Sequence, residues 1–120
     1  MAEQGYALGI DLGATTVKAG VVSRAGEIVA RAERATEPEK GPAGVAENIA
    51  LAGRDALRAA GLELSDLDGV GVGTPGICNV DEGVVVSSGN LNFKNVPLAA
   101  LVRERLGVPV RLENDEIGRA

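Results

Sequence analysis

At 120 residues, 45% hydrophobic and 24% charged, the chain has room for one domain with its own core and is too apolar to stay disordered. Its net charge of −5, with lysine and arginine scattered, excludes the basic patch that nucleic acid or an anionic membrane needs, and no apolar run reaches membrane-spanning length. Tyr6 and Phe93 are its only aromatics, so stacking platforms are nearly absent, and the lone Cys78 excludes an internal disulfide. The start shows neither the basic nor the apolar region of a secretory leader, and a cytoplasmic location is expected.

A short polar lead, residues 1–5, precedes two apolar runs, Tyr6 to Leu12 and Val17 to Val22, that flank Gly13-Ala14-Thr15-Thr16. This predicts a tight β-hairpin. Its turn is too small to plug a core, but it is rich in backbone N–H and hydroxyl donors able to face one point, which suits a phosphate. Asp11 near the mouth is placed to hold Mg2+ through water, since that ion keeps several waters and takes few carboxylates. Lys18 adds a positive charge or is simply a solvated strand position. Small residues in a hairpin turn also serve backbone geometry alone, so this stretch by itself leaves both readings open.

A third strand, Glu27 to Arg34, follows the turn 23–26 and alternates partly with period two, as an antiparallel strand with one wet face does. Pro38, Gly41 and Pro42 interrupt regular structure ahead of a helix expected from Ala43 to Ala60. Its stripe is Val45, Ile49, Ala52, Ala56 and Ala60, and Gly61 is its C-cap. Gly69 to Gly73 reads as a buried parallel strand in which glycine allows close approach, and Thr74-Pro75-Gly76 breaks it. Val84 to Val86 is a short strand, and 87–95 a polar loop anchored by Leu91 and Phe93. Pro97 starts a second helix with Leu98, Leu101, Val102 and Leu106 inward. Val108 to Leu112 is the last strand, and 116–120 resembles a first helical turn.

Right-handed crossovers then make strands one, four and five parallel, with two and three as a meander. The expected fold is α/β: a ribonuclease H-like five-stranded mixed sheet of order 3-2-1-4-5, flanked by helices, with a short β-hairpin insertion. Ligands of open α/β sheets collect beyond the carboxyl ends of parallel strands. Asp11 to Thr16, Thr74 to Gly76 and Asn114 to Asp115 should therefore share one cleft.

Four stretches carry a family likeness: Gly9-Ile10-Asp11-Leu12-Gly13-Ala14-Thr15-Thr16-Val17-Lys18; Gly71-Val72-Gly73-Thr74-Pro75-Gly76; Ser88-Gly89-Asn90-Leu91 with Asn95-Val96-Pro97-Leu98; and Leu112-Glu113-Asn114-Asp115. In their order and spacing, over nearly the whole length, the chain resembles the amino-terminal lobe of the ROK family. These are bacterial sugar kinases and sugar-responsive repressors of the actin-like ATPase superfamily. The resemblance implies phosphoryl transfer from ATP, with Mg2+, to a hexose, above all to the 6-hydroxyl of glucose; a homo-oligomer is expected because apolar surface at the strand-end loops and Ile117 tends to find a partner. It makes Asp115 the general base, because phosphoryl transfer between oxygens relies on positioning and an adjacent Asp can take the acceptor's proton. Asn90 and Asn114 would bond sugar hydroxyls, Thr74, Pro75 and Gly76 would lie against the ring, and Gly13, Ala14, Thr15 and Thr16 would cradle phosphate beside Asp11.

Plainer readings stand beside these. Asn114 and Asp115 suit a helix N-cap, Asn90 suits a turn, and Cys78 has no histidine to activate it. The family usually has glycine where Ala14 stands, and a methyl there weakens nucleotide binding if the backbone needs a positive φ or a close phosphate approach. After Asp115 the family continues with Ala-Asn, whereas this chain has Glu116, a charge able to raise the pKa of the base. The second phosphate loop, the adenosine pocket, the zinc-binding cysteines and the remaining sugar ligands of the family all belong to a carboxyl-terminal lobe. Residues 1–120 are thus read as a single amino-terminal lobe, inactive alone. The alternatives are a sugar-sensing regulator, whose usual helix-turn-helix is not seen ahead of the first strand, and a structural actin-like domain, against which Asn90, Asn114 and Asp115 argue.

Overall fold

The computed structural model describes residues 5–114. In chain order these form β1 (Tyr6–Leu12), β2 (Thr16–Ser23), β3 (Ile28–Ala35), a 3-10 turn (Pro38–Lys40), α1 (Gly41–Ala60), a 3-10 turn (Leu64–Asp66) and β4 (Leu67–Thr74). β5 (Ile77–Asn79), β6 (Val84–Ser88), β7 (Phe93–Val96), α2 (Leu98–Leu106) and β8 (Val110–Asn114) follow. The main sheet has order β3-β2-β1-β4-β8, with β1, β4 and β8 parallel, so the fifth strand of the expected order is β8.

One face of this sheet makes the core. Leu8, Ile10 and Leu12 of β1, Val17, Ala19 and Val21 of β2, Val70 and Val72 of β4 and Leu112 of β8 are all buried. They form one cluster with Val45, Ile49, Ala52 and Ala56 of α1 and with Leu98, Val102 and Leu106 of α2. Each large side chain so buried stabilises the fold by about 1.5–3 kcal/mol before chain entropy is counted. The alternation of the strands and the helical stripe of α1 therefore meet on a single surface. Gly53 lets α1 settle onto β1, since a Cβ there would lie 2.6 Å from Leu8 Cδ2.

Most boundaries differ from expectation by a residue or two, and three differences bear on the architecture. α1 starts at Gly41, not Ala43, because Pro42 sits in the first turn, where its missing N–H has no intrahelical partner to lose. The last strand is Val110–Asn114 rather than 108–112, since the Pro109 carbonyl accepts the Val70 N–H and only then does regular pairing start. The segment 87–95 is not all loop. β6 runs to Ser88, and β7 pairs with it through Ser87↔Lys94 and Ser88↔Phe93, so the insertion is a three-stranded sheet, larger than a hairpin. Polar strand residues hid it, because a small sheet that is wet on one side tolerates serine and lysine.

The second face of the main sheet carries neither α1 nor α2. Directly paired residues share a face, so the register lays out rows across the strands. One row is Arg31, Gly20, Gly9, Gly71 and Arg111, and the next toward the strand ends is Glu33, Lys18, Asp11, Gly73 and Glu113.

Candidate active site

The β1–β2 turn is the first piece. Leu12 pairs with Val17, and the Gly13 N–H donates to the Thr16 carbonyl at 3.0 Å, which closes the hairpin. A Cβ on Gly13 would lie 3.0 Å from that same carbonyl oxygen, so the tight closure favours glycine at this position. Ala14 is not among the residues with positive φ, so the methyl that replaces the family's glycine costs no backbone strain. Ala14 and Thr15 are exposed, and neither N–H has a backbone partner among the described residues. The turn's outward donors are thus those of Ala14 and Thr15, while that of Gly13 is already used inside the hairpin.

Asp11 precedes this turn and is exposed, at a register that puts Lys18 on one side of it and Gly73 on the other. No hydrogen bond or ion pair engages its carboxylate among the described residues. Those residues also contain no cluster of three or more His, Cys, Asp or Glu fit to hold a metal. Among the described residues, the Asp11 carboxylate is thus left without a partner beside a donor-rich turn. That fits an ion that keeps most of its water and leans on a phosphate.

The second piece is the end of β4. Thr74 is fully buried, and its hydroxyl donates to the Pro75 carbonyl at 3.3 Å, so the side chain shapes the turn from within. Gly76 has φ +98, and a Cβ there would run into the Ser87 carbonyl oxygen and lie 2.9 Å from Ser88 Cβ. Only glycine fits. The Pro75-Gly76 turn is thereby packed on the end of β6, next to the turn that carries Asn90. Asn90 is exposed in that turn, which the buried Leu91 and Phe93 anchor and the Asn92 N–H closes on the Gly89 carbonyl at 3.2 Å. Asn92 itself takes φ 58, a conformation Asn tolerates.

The third piece is the end of β8. Asn114 pairs with Thr74, and Glu113 with Gly73, so the ends of β1, β4 and β8 lie side by side. Asp115 lies outside the described residues. By sequence Glu113 enters only within the stretch Leu112 to Asp115 and carries no role, but the parallel register puts this exposed carboxylate on the row of Asp11 and Lys18. The glycine spacing of β4 was the signal, since Gly71 and Gly73 mark the positions whose neighbours face the open side. A concavity of about 990 Å3 lies over that glycine face between Arg31 and Arg111 and reaches the strand-end row at Asp11, Lys18, Glu33, Gly73 and Glu113.

Behind the turn sits a second polar layer that the sequence reading did not find. The Asn48 side-chain amide donates to the Thr36 carbonyl and to Glu37 Oε1, both at 3.0 Å. Glu37 sits in the left-handed region at φ 55, and Lys40 Nζ lies 3.0 Å from its Oε1. Lys40 first, and then Asn48, hold the Glu37 carboxyl below the usual carboxylate range.

Sheet order, helices on one face and loops gathered at the parallel strand ends define an α/β lobe of the ribonuclease H-like, actin-like class. The chain belongs to the ROK family, whose profile matches residues 7–119. A glucokinase of Halalkalibacterium halodurans is 35% identical over 115 residues, 96% of this chain, which spans 34% of that protein's length. A ROK family glucokinase from Streptomyces griseus, solved in complex with glucose and AMPPNP, superimposes with a TM-score of 0.80 at 32% identity, covering 92% of this chain and 33% of its own. A xylose repressor of Caldicellulosiruptor bescii is 38% identical over 47 residues, 39% of this chain and 12% of the repressor.

Proposed function

We propose that this chain is the substrate-side lobe of an ATP-dependent sugar kinase that phosphorylates a hexose, with glucose at its 6-hydroxyl as the first choice. One observation carries the reading: the β1–β2 turn with Asp11, the Pro75-Gly76 turn and the Asn114 position end three adjacent parallel strands. A donor-rich turn, a free carboxylate and a glycine turn are thus within one row of strands, which is the positioning that phosphoryl transfer demands.

In this reading the outward N–H groups of Ala14 and Thr15, with the hydroxyls of Thr15 and Thr16, hold ATP phosphate oxygens, and Asp11 would hold Mg2+ through water. Bound there, the ion would neutralise phosphate charge. Asn90 and Asn114 orient sugar hydroxyls against the Pro75-Gly76 backbone. Asp115 takes the proton of the acceptor hydroxyl as its oxygen bonds to the γ-phosphorus, and the bond to ADP breaks. The glucokinase relative and the glucose and AMPPNP complex of the Streptomyces griseus enzyme support the choice of substrates.

The test is a coupled ADP-release assay on the full-length protein with a panel of hexoses and ATP. Hexose-dependent ADP release, greatest with glucose, is expected; none with any hexose overturns the reading. The 120-residue chain alone is expected to release none, since donor and acceptor must be held together and this lobe carries one side of that geometry. A second reading, a regulator that binds sugar without turnover, is favoured by the xylose repressor match. Saturable sugar binding with no ADP release would select it.

A further inference from the structure

We propose that Thr36, held in place by Asn48, is the positioning residue that aims the phosphate-facing Ala14 N–H of the β1–β2 turn. The inference rests on the phosphate role given to that turn above. Thr36 is fully buried, and it grips the turn twice: its hydroxyl donates to the Gly13 carbonyl at 2.7 Å and its N–H to the Thr15 carbonyl at 2.9 Å. The described peptide bonds are all trans. In a planar trans peptide the C=O of one residue and the N–H of the next point in opposite directions. Drawing the Gly13 carbonyl inward therefore turns the Ala14 N–H outward, while the bond to the Thr15 carbonyl pins the far side of the turn. One buried side chain thus sets the direction of a donor it never touches.

Asn48 explains why Thr36 stays put. It lies on the buried face of α1, flanked by Val45, Ala46, Ile49 and Ala52, where an unpaired amide would be costly. Both of its N–H groups are used, on the Thr36 carbonyl and the Glu37 carboxylate. Since both partners only accept, the orientation of the amide is fixed by chemistry. The helix core, the 36–37 segment and the turn are therefore joined in series, and α1 serves as the rigid support of the turn.

The test uses the full-length protein with Thr36→Val, which keeps shape and backbone N–H but removes the hydroxyl donor, and Thr36→Ser, which keeps the donor. Amide exchange of Ala14 is followed in the wild type with and without MgATP, and KM for ATP, KM for the sugar and kcat are measured for all three proteins. The expected result is that MgATP protects the Ala14 amide, and that Thr36→Val raises KM for ATP on the order of tenfold, the effect of about one lost hydrogen bond. Sugar KM should stay put, kcat at saturating ATP should stay within about twofold, and Thr36→Ser should restore the ATP KM. Protection of Ala14 with an unchanged ATP KM in Thr36→Val overturns the positioning role alone. No protection of Ala14 overturns the phosphate reading, and the positioning role with it. Should Thr36→Val not accumulate as folded protein, Thr36→Ala takes its place with the same expected split.

Discussion

Asp11 and Lys18 stand opposite each other in the β1–β2 ladder, on the sheet face that the helices leave open, and no ion pair joins them among the described residues. A carboxylate left free beside a donor-rich turn is available to a hydrated cation, whereas one locked to a lysine is not. The first prediction follows for the full-length protein. Asp11→Asn should lower kcat/KM for MgATP by about 100-fold and raise the Mg2+ needed for half-maximal rate. Lys18→Met should change either quantity by no more than about threefold, as for an exposed charge without a fixed partner. A magnesium titration of both variants checks this, and an Asp11→Asn curve that overlays the wild type rules out the cation role.

Asp115 gives the sharpest functional prediction, motivated by its place directly after Asn114, the β8 residue paired with Thr74. If it is the general base, Asp115→Asn in the full-length protein keeps sugar affinity and lowers kcat by about 100-fold or more, since the amide preserves shape but cannot accept the proton. A mere N-cap behaves differently. Asn caps a helix about as well as Asp, so rate and melting temperature would both hold. Measuring kcat, sugar affinity and melting temperature on the one variant separates the two, and an unchanged kcat removes Asp115 from the mechanism.

Gly76 is predicted to be irreplaceable for stability and for the shape of the sugar side. Its φ of +98 and the contact of an added Cβ with the Ser87 carbonyl mean that Gly76→Ala must strain the backbone or push β6 away. A loss of about 1–3 kcal/mol is expected from the strained backbone alone. Displacing Ser87 and Ser88 should also weaken sugar binding, because the Asn90 turn follows them directly. Gly89→Ala is the control, since nothing lies within 4 Å of its added Cβ. Melting curves and sugar titrations of both variants test the contrast; equal behaviour would show that the packing at Gly76 is unimportant.

The ion pair between Arg34 of β3 and Asp55 of α1, Nε to Oδ2 at 2.7 Å, yields a pH prediction. The hydrogen bond from Arg34 holds the Asp55 carboxyl below its ordinary range, with the charges of Arg34 and Arg58 adding to it. A carboxyl whose folded pKa is depressed stabilises the fold above its unfolded pKa, near 3.8, and that contribution fades as pH falls through the folded value. Asp55→Asn should therefore melt slightly below the wild type at pH 7, and the gap should close below about pH 4. The effect is small because the pair is solvent-exposed. A gap that persists unchanged at pH 3 would assign the difference to packing instead.

Much of this protein was legible in its residues. The alternation of Leu8, Ile10 and Leu12 and of Val17, Ala19 and Val21, the stripe of α1 and the glycine caps at Gly61 and Gly107 are local signals, and each survives in the fold because period and burial agree. Right-handed crossover then leaves one order for the sheet, so the adjacency of the ends of β1, β4 and β8, at Asp11, Thr74 and Asn114, could be read in advance. What the sequence could not carry was any relation between residues with no shared period. Pairing of β6 with β7 depends on a partner strand and not on the serines themselves. The inward turn of Thr74, the alignment of Glu113 with Asp11 and the chain from Asn48 through Thr36 to Gly13 each join segments distant in sequence. Hydrogen-bond direction is set where those segments meet in space, and only the tertiary structure decides which carbonyl of a turn faces inward and which N–H is left to face a ligand.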